Sequence, residues 1–137
     1  MKKIISSLMV FALCGCSGLN QPTTQQRVVT AAKLAAYVGT SEYLAKRPGA
    51  KDDFLSASGQ LHALATQTNI DLINILAIVN ELPIKELKSE QAKIIITAGE
   101  LLIIQYGQSL PVDQLRNLKP VAQAIADGID LGAAGTQ

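Results

Sequence analysis

An all-α bundle of about five helices is the fold this 137-residue chain predicts, and three observations carry that reading. Apolar residues recur at three- and four-residue spacing through most of residues 25–131, the period of one helix face. Asp, Asn and Ser stand where the periodic segments begin, and Pro or Gly where they end. The one β-branched cluster, Ile94-Ile95-Ile96, lacks period-two alternation and has no Asn-Gly or Asp-Gly turn nearby.

The first helix is expected over Gln25 to Lys46, with Val28, Ala31, Ala32, Ala35, Val38 and Leu44 on one face. Arg47-Pro48-Gly49 stops it, because the residue before a proline avoids helical angles. The second begins near Asp52-Asp53, whose carboxylates suit the positive end of a helix dipole, and carries Phe54, Ala57, Ser58, Leu61, Leu64, Ala65 and Thr68 on its inner face. Asn69 or Asp71 can cap a third, very apolar helix from Leu72 to about Leu82, closed by Pro83. A fourth opens at Ser89-Glu90 and runs to Tyr106, with Gly107 as its stop. It is apolar almost all round, the mark of a helix surrounded by others, and its eleven-residue apolar stretch containing Glu100 is too short to span a bilayer. A last helical stretch starts at Pro111 or Val112, breaks at Lys119-Pro120 and continues to about Leu131. Residues 132–137 read as a disordered tail.

Ahead of the bundle, Met1-Lys2-Lys3 is a positive stretch and Ile4 to Leu13 an apolar one of the length found in secretory signals. Leu13-Cys14-Gly15-Cys16 closes that run and resembles the lipobox of bacterial lipoproteins, with Cys14 standing where a small residue is usual. The resemblance implies that residues 1–15 are a signal peptide recognised through Leu13 and Gly15. Cys16 is then the lipid attachment site, carrying a diacylglyceryl thioether and an N-acyl chain. Two or three chains at roughly 0.8 kcal/mol per buried methylene hold a protein on a membrane essentially for good. Ser17, rather than Asp, follows Cys16, which implies the periplasm-facing side of an outer membrane, or the outer face of a single membrane in a Gram-positive host. Cleavage near Ala12-Leu13-Cys14 by ordinary signal peptidase and an uncleaved anchor are the two alternatives. Residues 16–24 then form the lipidated Cys and a flexible tether, whose eight residues from Ser17 to Thr24 reach at most roughly 26–29 Å.

Loss of Lys2 and Lys3 leaves ten basic against eleven acidic residues, with no basic patch suited to nucleic acid. Cys14 leaves with the signal and Cys16 is taken by lipid, so hydrophobic packing alone holds the domain. The inventory for catalysis is thin, and no catalytic residue or cofactor is expected. His62 is the only histidine and falls at the edge of the apolar face of its helix. Ser58 lies one turn upstream and a distant Asp could complete a Ser-His-Asp set, yet no nucleophile elbow supports one. One His and scattered carboxylates give no ligand-spaced metal cluster, and Asp127 with Asp130 reads as a solvated pair. The isolated Gly99, Gly107, Gly128 and Gly132 fit close packing or helix ends. Tyr37, Tyr43 and Tyr106 are expected at the core's edge with their hydroxyls wet.

Glu100 is the one charge inside the most apolar helix. Either it faces a narrow solvent strip and pairs with Lys93 or Lys33, or it is a polar fixture of a ligand cavity. Two classes of function therefore stay open. One is a membrane-tethered docking module for an envelope protein, similar in size and plan to pilotins and to small phage or prophage lipoproteins. The other is a carrier of a lipid or small hydrophobic molecule, which needs a cavity of a few hundred Å³.

Overall fold

The computed structural model describes residues 23–68, 70–111 and 118–135, and within them the expected all-α bundle is found, with no strand. Helix α1 spans Thr24–Lys46, α2 Lys51–Ala65, α3 Leu72–Glu81, α4 Glu90–Ser109 and α5 Lys119–Ala134. Short 3-10 turns at Pro48–Ala50 and Pro83–Glu86 sit at the prolines expected to end helices.

The starts are set by local chemistry. Thr23 Oγ1 accepts from the Gln26 backbone N–H at 3.2 Å, and the Gln26 side chain accepts from Thr23 N–H at 2.8 Å. This capping box draws Thr24 into α1, so the helix takes up the last residue assigned to the tether. Asp71 caps α3 through the Ile73 N–H, and Ser89 caps α4 through the Ala92 N–H. Asp52 and Asp53 occupy the first turn of α2 as the dipole argument requires.

Helices α1 and α5 make the most extensive contact, α4 lies against α1, and α2 lies against α5. Gly128 meets Lys33, Ala36 and Tyr37, and Gly132 meets Tyr37, Thr40 and Ser41, so α5 runs parallel to α1. Gly99 opposes Ala31 and Ala35 while Ile96 approaches Gly39, so α4 runs antiparallel to it. The core gathers Phe54, Leu61, Ile70, Ile75, Leu118, Val121 and Ile129, each nearly or wholly buried. Tyr43 is buried beside Phe54, with ring centroids 5.5 Å apart.

Four expectations are corrected. The central helix is α5, nine of whose sixteen residues are buried, whereas α4 buries five of twenty. An apolar composition shows that a helix can be surrounded, not that neighbours exist to surround it. Second, α4 does not stop at Gly107. That glycine is buried inside the helix, where a Cβ would stand 2.8 Å from Leu72 Cδ2, so it admits α3 rather than ending α4. Third, Lys119-Pro120 is the first turn of α5, where proline's missing N–H costs nothing; the expected stretch over 112–117 lies outside the described residues. Fourth, α5 continues through Ala134 with Gly132 and Ala133 buried against α1, so the helix takes in the first residues assigned to the tail. Tyr43 and Tyr106 are also more buried than expected at a core edge, while Tyr37 is exposed.

Candidate functional site

The residues expected to carry lipid and peptidase recognition, Cys16, Leu13 and Gly15, lie outside the described residues. Three features of the bundle itself remain: a polar cluster between α2 and α5, an apolar cleft beside Glu100, and the outer face of α4.

The polar cluster forms because two helices each place polar residues one turn apart on their shared seam. Helix α2 contributes Ser58 and His62, and α5 contributes Gln123, Asp127 and Asp130. Ser58 Oγ donates to Asp130 Oδ1 at 2.5 Å and also approaches the Ala126 carbonyl oxygen at 3.3 Å. His62 Nε2 lies 2.9 Å from Asp130 Oδ2, and Gln123 Nε2 lies 3.0 Å from both His62 Nδ1 and Asp127 Oδ1. A proton on Nε2 donates to Asp130, and whether Nδ1 accepts from the Gln123 amide or donates to it follows the protonation of the ring. The Asp130 hydrogen bond raises the His62 pKa above its ordinary 6.5, against a smaller opposing effect of burial. Burial pushes the Asp130 carboxyl up, but hydrogen bonds from Ser58 and His62 outweigh it and hold the pKa below 3.8.

This order of partners bears on chemistry. In a nucleophilic triad the imidazole stands between serine and carboxylate, whereas here Asp130 stands between Ser58 and His62. The base facing Ser58 is thus a carboxylate of lowered pKa, poorly suited to take a hydroxyl proton. Ser58 is also 2% exposed, closed off from any substrate. The sequence paired Ser58 with His62 and left the acid open; Asp130, 68 residues on from His62, fills that place. His62, Asp127 and Asp130 can each offer a ligand atom, all within 4.8 Å of one another. The carboxylates expected to be scattered or merely solvated are therefore brought together with the sole histidine by the packing of α2 on α5.

Glu100 is half-buried and borders a cleft lined by Ala32, Ala35, Ile75, Val79, Ile96, Ile103 and Ile129. Lys93, one of its two expected partners, turns instead to Glu90 at 3.4 Å. The cleft volume is about 50 Å³, against roughly 300–1,000 Å³ for sites that hold small molecules.

The outer face of α4 exposes Ile94, Thr97, Ala98, Leu101, Leu102 and Gln105, at the spacing of a single helical stripe. Ile94, Leu101 and Leu102 are 66%, 53% and 41% exposed, and the stripe carries no charge over three turns. The sequence showed that these residues are apolar; only the arrangement of the other helices shows that they are left uncovered. No described helix is long and apolar enough to cross a membrane.

No known protein family matches the chain, and neither the curated proteins nor the solved structures include a match to it.

Proposed function

We propose that the protein is a lipid-anchored docking module of the bacterial envelope, without enzymatic activity. Cys16 holds it to a membrane, by default the periplasm-facing side of the outer membrane, and α4 presents a helical apolar stripe to an envelope protein. The observation that carries this reading is the uncharged row Ile94-Thr97-Ala98-Leu101-Leu102 along one face of α4. Large side chains at i, i+7 and i+8 along one helix face are the anchors by which a helix fills an apolar groove in a partner. Interaction surfaces of this kind cost a monomer free energy in water, which binding recovers.

Carriage of a hydrophobic molecule is the second reading, favoured by the apolar lining beside Glu100. The cleft ranks it second, because about 50 Å³ holds little more than a water molecule or two.

A photo-crosslinking residue at Leu101 in native envelopes tests the docking reading, with the same residue at Asp52 on α2 as the control. One protein adduct from Leu101, absent from the control and lost when Ile94→Asp is added, is the expected result. Adducts equal at both positions, or none, would overturn it. Cys16→Ser tests the anchor separately: an unprocessed precursor is expected, and a cleaved, lipid-bearing product would sink the assignment.

A further inference from the structure

We infer that His62, Asp127 and Asp130 form a binding site for one divalent transition-metal ion of the zinc class. One imidazole and two carboxylates are ligands such ions accept, and all three ligand atoms already lie within 4.8 Å of one another. Tetrahedral ligands at about 2.0–2.1 Å from zinc stand roughly 3.3 Å apart. His62 Nε2 and Asp130 Oδ2, at 2.9 Å, need only separate slightly to admit the ion between them. Both side chains are more than a third exposed, 37% and 44%, so the ion has a path in and water can complete its coordination.

The surrounding polar groups orient these ligands. Metal-ligating carboxylates and imidazoles are held by outer hydrogen bonds that fix their orientation. The buried Ser58 hydroxyl donates to Asp130 Oδ1, leaving Oδ2 for the ion. Gln123 stands at His62 Nδ1, the ring nitrogen away from the site, and also holds Asp127. When the ion takes Nε2, the proton moves to Nδ1; the Gln123 amide then turns so that its oxygen accepts that proton. Asp127 supplies its ligand oxygen from within 4.8 Å of the other two ligand atoms. The balance is simple: a dication enters, two carboxylates and a neutral imidazole hold it, and no net proton leaves a neutral His62.

Alternative pairings explain the cluster less fully. A plain His62–Asp130 ion pair accounts for two of the three side chains and gives Asp127, which accepts from Gln123, no part in the bonding.

The test uses the full chain in detergent, stripped with chelator, then dialysed against zinc with bound metal counted by mass spectrometry. One equivalent at micromolar free zinc, with a rise in melting temperature, is expected. Asp127→Asn should weaken binding at least tenfold while leaving the metal-free melting temperature unchanged, since its one hydrogen bond runs to Gln123 on its own helix. His62→Gln, which can still donate to Asp130, should abolish binding. Zinc bound equally by wild type and Asp127→Asn, or not bound by wild type, would overturn the site.

Discussion

Adding one methyl group at Gly128 should unsettle the whole bundle. A Cβ built there stands 2.8 Å from Ala36 Cβ and 3.1 Å from Tyr37 N, and closer still to the Lys33 carbonyl oxygen. Carbon atoms pack at roughly 3.5–4.0 Å, so α1 and α5 must move apart by about 1 Å. Backbone atoms form two of the three obstacles, and no rotamer change can clear them. A gap of that size forfeits between a quarter and a half of each dispersion contact across it. Taken over only as many atom pairs as one buried leucine makes, about 50 at ~0.15 kcal/mol, a loss of one third comes to about 2.5 kcal/mol. Alanine's better helix propensity returns about 1 kcal/mol, leaving Gly128→Ala destabilised by about 1.5 kcal/mol. Thermal unfolding followed by circular dichroism should show a melting temperature lower by roughly 6–10 °C. Gly59→Ala is the matched control. It lies in α2, exposed, with nothing within 4 Å of the added carbon, and should gain up to about 1 kcal/mol. A Gly128→Ala protein that melts at or above wild type would refute the close approach of α1 and α5.

Thr40 is fully buried and its Oγ1 finds no hydrogen-bond partner among the described residues, so Thr40→Val, alike in shape, should raise stability by about 1 kcal/mol in a urea titration. Ile75→Ala removes a fully buried side chain that lines the Glu100 cleft; a loss of about 2–5 kcal/mol is expected, together with a larger cleft able to take up a small apolar probe. With chelator present, the His62–Asp130 pair should make stability depend on pH. The His62 pKa is raised, so its contribution is complete below 6.5 and fades as pH rises through the raised value. The Asp130 pKa is lowered, so its contribution is complete above 3.8 and fades as pH falls through the lowered value. The advantage of wild type over His62→Gln in melting temperature should thus be greatest between those limits and modest in size, since both side chains are substantially exposed. An advantage that grows above neutral pH would contradict the assigned directions.

What could be read from the sequence follows the range of the interactions involved. Helix starts and ends depend on residues within one turn, so Pro48, Asp71, Pro83 and Ser89 mark them directly. The exposure of α4 depends on where four other helices lie, and a run such as Ile94-Ile95-Ile96 reads the same whether covered or not. Gly107 shows the same limit on a smaller scale: a glycine that ends a helix and one that admits a neighbour are alike until Leu72 is placed beside it. At the polar cluster the local halves were visible, Ser58 with His62 and Asp127 with Asp130. Their meeting required α2 to pack on α5, which no spacing within either helix encodes. Glu100 borders the apolar cleft, as one of its two readings required, and is half-exposed, as the other did.

The parallel pairing of α1 with α5 also dictates an order of events during synthesis. Between Lys46 and Lys119 lie about 70 residues, which a ribosome needs roughly 4–15 s to add. Throughout that interval the inner faces of α1 and α2 have no central helix to close on, and the nascent chain remains open. The topology itself thereby defers closure of the core until the last helix is made.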